Sequence, residues 1–127
     1  MAMLLSIDDD AAVRQMLESL FSATHECHTA DRAEQALEYL QFQKYDVVIT
    51  DVSMPGMGGV EILQQIKARR DSTPVIVISG RPDEYRDTVL EMGAFAFLGK
   101  PFALSAIESS VADAIAQSRQ QSLMTLP

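Results

Sequence analysis

The chain alternates between two kinds of apolar pattern, and that alternation restricts its fold more than any other feature. Four short runs, Met3–Ile7, Val47–Thr50, Val75–Ile78 and Phe95–Leu98, are apolar at nearly every position. A strand with no polar face must be covered on both sides, which is the condition of a parallel sheet sandwiched between helices. Between the runs, apolar residues recur at helical spacing: Val13, Met16, Leu17, Leu20 and Phe21; Ala33, Ala36, Leu37 and Leu40; Ile62, Leu63 and Ile66. A shorter helix is expected from about Asp83 to Met92, with Val89 and Met92 inward and Gly93 as its C-cap. A final helix takes its core face from Leu104, Ile107, Val111, Ala114 and Ile115. The short polar segment His25–Thr29 suits an edge strand. Five βα units with right-handed crossovers give an α/β fold, a doubly wound five-stranded parallel sheet with five helices. Ser53–Gly59 reads as a loop, Lys67–Arg70 as the basic end of a helix, and Gln117–Ser122 as a polar tail that frays or becomes a linker.

Each apolar run hands over to a residue with chemistry. Asp8 and Asp9 follow the first, Asp51 the second, Ser79 the third, and Lys100 comes just after the fourth. Parallel strands gather their carboxyl ends at one edge of the sheet, and ligands of such sheets bind there. Three carboxylates crowded together repel one another unless a cation sits among them, so the cluster predicts a hard divalent metal. A carboxylate, a metal and a lysine are also what an aspartate needs to accept a phosphoryl group.

Composition narrows the alternatives. The chain has 127 residues, enough for one domain with one continuous core, and no apolar run in it is long enough to span a bilayer. Its start, Met1-Ala2-Met3-Leu4-Leu5, carries no positive side chain and runs into acidic residues, so no signal peptide is expected. A net charge of −8 argues against nonspecific nucleic-acid binding. The single cysteine, Cys27, excludes an internal disulfide and fits a reducing, cytoplasmic location.

Four fragments carry a family resemblance: Leu5-Ser6-Ile7-Asp8-Asp9-Asp10, Asp46 through Met57, Pro74 through Ser79, and Gly93 through Phe102. Together, in this order, they resemble the receiver domain of two-component response regulators along essentially the whole chain. The resemblance implies the flavodoxin-like strand order 2-1-3-4-5. It makes residues 1–120 a receiver domain and residues 121–127 a tail or the start of a linker. It also implies that Asp51 is the phosphoacceptor and that Mg²⁺ is held by Asp9 and Asp51 directly, by Asp8 through water, and by the backbone carbonyl of Ser53. Ser79 would hydrogen-bond the arriving phosphoryl group, Lys100 would pair with its oxygens, and the Lys100–Pro101 peptide would be cis. Ser79 and Phe97 would form the switch. Implied partners are a sensor histidine kinase or histidine phosphotransfer protein, and an effector or second copy at the face of the fourth helix, fifth strand and fifth helix. Exposed residues of that face are expected among Tyr85, Arg86, Glu91 and Glu108. Neither nucleic acid nor membrane is an expected direct partner. The domain would catalyse only its own phosphorylation and dephosphorylation.

Three positions depart from the commonest receiver pattern. Gly58 stands where many receivers carry Asp, Phe97 where Tyr is frequent, and Arg81 two residues past the switch serine. Gly58 still serves as an N-cap. Two other readings compete with the receiver. A phosphatase of the haloacid dehalogenase type also uses a strand-end aspartate with Mg²⁺ and a lysine. It needs a second acid two residues after the nucleophile, and that position is Ser53. A degenerate receiver acting as a passive scaffold is the third reading, and the intact set of five site residues counts against it. His25, Cys27 and His28 carry metal-ligating atoms, but strand alternation puts His28 on the opposite face from the other two, which favours a structural role. Asp10 reads as a helix N-cap. No effector domain is legible after the last helix.

Overall fold

Strands β1 (Met3–Ile7), β2 (Glu26–Ala30), β3 (Val47–Asp51), β4 (Val75–Ser79) and β5 (Ala96–Gly99) form one parallel sheet in the order β2-β1-β3-β4-β5. They alternate with helices α1 (Ala11–Phe21), α2 (Ala33–Phe42), α3 (Gly59–Ala68), α4 (Pro82–Glu91) and α5 (Leu104–Met124). The computed structural model describes residues 1–54, 56–69 and 71–124. Pro55 of the expected loop, Arg70 of the expected basic turn and residues 125–127 of the expected tail lie outside the described residues. Both the fold class and the strand order agree with the sequence reading.

Every residue of β3 and β4 is buried, which is why those segments are apolar up to the polar residues at their carboxyl ends. Alternation along the strands divides the interior into two cores. Leu5, Ile7, Val48, Val75, Val77 and Phe97 face α2, α3 and α4. Leu4, Val47, Ile49, Ile76 and Ile78 face α1 and α5. A fully buried aliphatic side chain contributes about 1.5–3 kcal/mol, whereas an exposed ion pair contributes about 0–1 kcal/mol. The sheet's side chains therefore dominate the stability, and register follows from them. Ile7 pairs with Thr50, Asp51 with Ile78, and Ser79 with Gly99, so the strands end level with one another.

One local feature differs from expectation, and a second adds to it. The segment Gln117–Ser122 does not fray, because α5 continues to Met124. Gln and Arg are good helix formers and the segment has no Gly or Pro, and Arg119 donates from Nη2 to the Met1 carbonyl at 3.0 Å, tying the extension to the residues just ahead of β1. The second concerns α3, which begins pressed against the end of β3. A Cβ on Gly59 would lie 2.3 Å from the Asp51 carbonyl oxygen, so only glycine allows this approach.

Gly59→Ala is expected to destabilise the domain by about 1–3 kcal/mol through overpacking. Gly80, where an added Cβ meets nothing within 4 Å, supplies the control: Gly80→Ala should change stability by no more than about 0.5 kcal/mol. Urea unfolding midpoints measure both, and equal midpoints would refute the contact.

Candidate functional site

The site is assembled where β1, β3, β4 and β5 end. Asp8 continues the ladder of β1 by one residue, its N–H donating to the Ala30 carbonyl at 3.1 Å, and this carries its side chain indoors, with 0% exposure. Its Oδ1 accepts from the Asp10 N–H at 2.9 Å and its Oδ2 from Lys100 Nζ at 3.0 Å. Asp9 is exposed on the rim. Asp10 caps α1 as expected, its Oδ1 accepting from the Ala12 N–H at 2.9 Å. Asp51 is the last residue of β3 and is buried, and its carbonyl accepts from the Thr50 hydroxyl at 3.0 Å. Lys100 follows β5. Its backbone N–H donates to the Ser79 carbonyl at 2.7 Å, and its ammonium lies 3.5 Å from Asp51 Oδ2. The Lys100–Pro101 peptide is cis, as expected.

Four of the site residues read from the sequence thus meet directly. Carboxylate oxygens of Asp8, Asp9 and Asp51 all lie within 4.8 Å of one another, with Lys100 between Asp8 and Asp51. Ser79 ends the adjacent strand, and its Oγ accepts from the Arg81 N–H at 2.9 Å. Ser53 is exposed on the loop two residues beyond Asp51. Phe97 is not in the cluster. It lies 7% exposed in the core facing α4, paired with Val77, and the Arg86 guanidinium stands 6.0 Å from its ring centroid.

The electrostatics follow from burial and crowding. Burial foremost, and then the Asp8 charge, push the Asp51 carboxyl above its ordinary value, while Lys100 only partly offsets them. Burial works against the charged Lys100 ammonium, but its hydrogen bond to Asp8 and the charges of Asp8 and Asp51 outweigh this and raise its pKa. One ammonium cannot balance three carboxylates. The donor set is all oxygen, close-set and over-negative, and it fits a hard divalent cation such as Mg²⁺. By contrast, His28 of β2 and His25 just before it are already engaged. His25 Nδ1 accepts from the Ala2 N–H at 3.0 Å, and His28 hydrogen-bonds Tyr45 at 2.7 Å and Glu26 at 3.0 Å.

Four contacts were not read from the sequence. Arg14 of α1 donates from Nη1 to the Asp8 carbonyl at 2.7 Å. A clue was available, since a cation in the first turns of a helix opposes the helix dipole. Gly58, taken for a plain N-cap, is also required sterically, because a Cβ there would meet the Val52 carbonyl oxygen at 2.5 Å. Glu61 completes that cap, Oε2 accepting from the Gly58 N–H at 3.0 Å. The Arg86–Phe97 contact had no sequence signal.

A raised carboxyl pKa has a defined sign in stability. The folded state holds the Asp51 proton more tightly than the unfolded chain does, so stability falls as pH rises through that interval and stays lowered above it. Asp51→Asn should therefore raise the thermal midpoint of the metal-free protein at neutral pH, and the gain should vanish at acidic pH. Scanning calorimetry in EDTA across pH checks this, and a midpoint lowered at neutral pH would contradict it.

Comparison with known proteins agrees with this geometry. Residues 4–112 match the family described as the response regulator receiver domain. The chain is 35% identical over 117 residues to the DNA-binding transcriptional regulator NtrC of Escherichia coli K12, covering 91% of this chain and 25% of NtrC. It thus spans about a quarter of the length of that relative. The receiver domain of Francisella response regulator 1452 superposes with a TM-score of 0.85 at 25% identity, covering 93% of this chain and 99% of that one. The response regulator TrrA of Thermotoga maritima, in complex with Mg²⁺–BeF, gives a TM-score of 0.81 at 26% identity, covering 90% of this chain and 99% of that one. With its fold, its strand-end acid cluster and its sequence all in accord, the chain belongs to the response regulator receiver domain family of two-component signalling.

Proposed function

We propose that this receiver is a phosphorylation-controlled switch in which Asp51 accepts a phosphoryl group from a phosphohistidine of a sensor histidine kinase or a histidine phosphotransfer protein. The observation that carries the reading is the meeting of Asp8, Asp9, Asp51 and Lys100 at one sheet edge. An Asp51 carboxylate oxygen attacks phosphorus. The phosphorus–nitrogen bond of the donor breaks, and its electron pair leaves with the imidazole, which takes a proton from solvent. The product is 4-aspartylphosphate. Lys100 pairs with the transferred oxygens. The Ser79 oxygen accepts from the Arg81 N–H, and its proton has no acceptor among the described residues, which leaves it to donate to the phosphoryl group. When bound, Mg²⁺ on Asp9, Asp51, the Ser53 backbone carbonyl and, through water, Asp8 would neutralise charge on the phosphoryl oxygens. The TrrA complex with Mg²⁺–BeF supports that choice of ion. A net charge of −8 argues against direct contact of this domain with nucleic acid. No helix among the described residues is long and apolar enough to cross a membrane.

Incubation with a small phosphodonor and Mg²⁺ should add the mass of one phosphoryl group to the intact protein. Asp51→Asn or EDTA should abolish the gain, and labelling that survives either one would remove the mechanism. Asp9→Ala should weaken Mg²⁺ binding far more than Asp10→Ala, because Asp10 is committed to its helix cap.

The same site supplies a route outward. Ser79 gains a hydrogen bond to the phosphoryl group only by moving toward it, and Arg81, bonded to the Ser79 hydroxyl, moves with it at the start of α4. Phe97, lacking a hydroxyl, follows by ring repacking alone. Two such packings form a bistable element that phosphorylation biases. The face of α4, β5 and α5, with Arg86, Glu91 and Glu108 exposed and Tyr85 half-buried, then receives an effector or a second copy. Amide NMR shifts with a phosphoryl mimic should change between Gly80 and Glu108 as well as at the acid cluster. Silence across that stretch would exclude the route.

A further inference from the structure

We propose that Arg14 is a positioning residue, whose guanidinium sets the direction in which Asp9 presents its carboxylate to the divalent cation. The proposal rests on reading the acid cluster as a Mg²⁺ site. Two considerations make Arg14 out of place unless it has such a task. It lies in the first turns of α1, where the helix dipole favours anions. It also brings positive charge toward a cation site, which by Coulomb's law alone weakens cation binding.

The geometry supplies the task. Arg14 Nη1 donates to the Asp8 carbonyl at 2.7 Å, and the Arg14 backbone N–H is tied to the Asp10 carbonyl at 3.1 Å within the capped first turn. This completes the restraint of Asp8. Its N–H is held by Ala30, its carbonyl by Arg14, its Oδ1 by the Asp10 N–H and its Oδ2 by Lys100. The Asp8 carbonyl and the Asp9 nitrogen share one rigid peptide plane. Fixing the carbonyl therefore fixes the plane from which the Asp9 side chain departs. Asp9 needs that support. It is exposed, and among the described residues its carboxylate has no hydrogen-bond or ion-pair partner. Its direction therefore depends on the backbone that carries it, which fixes where the Cα–Cβ bond points and which rotamers are open. Outer groups that orient a metal's ligands typically matter by about 10–100-fold in metal affinity.

Charge and position predict opposite signs, so the test is decisive. Mg²⁺ binding is measured by isothermal titration calorimetry at fixed ionic strength for wild type, Arg14→Met and Arg14→Lys. Amide shifts of Asp9 and Asp10 are recorded for the metal-free proteins. Arg14→Met, which keeps the stem and loses charge and donor, should weaken Mg²⁺ binding about tenfold and shift the Asp9 amide before any metal is added. Arg14→Lys, which restores a donor, should recover most of the affinity, and it carries the test if the methionine variant fails to fold. Mg²⁺ binding as tight as wild type or tighter in Arg14→Met would overturn the assignment while leaving the metal site intact. Absence of Mg²⁺ binding in wild type would overturn both.

Discussion

The Lys100 ammonium is the interaction on which the rest of the site depends. It lies 3.0 Å from Asp8 and 3.5 Å from Asp51, two carboxylates that have left water almost completely. Removing the ammonium would leave two buried carboxylates without their counter-charge, at a cost of about 3–5 kcal/mol. The pair can form because of strand order. β1 and β3 are neighbours, so Asp8 and Asp51 emerge side by side, while β5 lies beyond β4 at the sheet's edge. A flexible four-carbon stem covers the remaining distance, and the backbone bond from Lys100 to the Ser79 carbonyl fixes where that stem begins. Three strand ends are thereby joined by one side chain, and Ser79 is drawn into the same arrangement through the main chain.

The burial that sharpens these interactions also works against stability. Asp51 resists ionisation because its surroundings are dry and because Asp8 is close. A carboxylate kept in that condition is a cost the fold tolerates, of the kind commonly found where a reactive group must be held ready. The two apolar cores carry the tolerance, since the strands that present the acids are buried on both faces.

The sheet was legible in the sequence because burial on both faces leaves an unmistakable trace, runs such as Val47–Ile49 and Val75–Ile78 with no polar alternation. The acid cluster was legible because its members stand immediately after those runs. Much of what escaped the sequence depended on backbone atoms that only the folded chain brings into contact. The Arg14 bond ends on a carbonyl, and every residue has a carbonyl, so nothing in the identity of Asp8 advertised it. The closeness of Gly58 and Gly59 to the chain leaving β3 likewise involves main-chain oxygens. In α5, polar composition suggested fraying after Ala116. Propensity, and the Arg119 bond to Met1 at the other end of the chain, kept the helix going.

The central sheet is also a partition. Its side chains alternate between a core shared with α2, α3 and α4 and another shared with α1 and α5. Phe97 belongs to the first, and its strand neighbours Ala96 and Leu98 pack against the second. Residues that share no partners contribute to stability nearly additively, whereas those in contact couple. Substitutions on opposite faces of the sheet, such as at Val77 and Ile115, thus perturb two nearly independent packing problems. The repacking proposed for Phe97 falls in the core shared with α4, across the sheet from the buried side chains of α1 and α5. The sheet thereby gives the proposed change a side of its own.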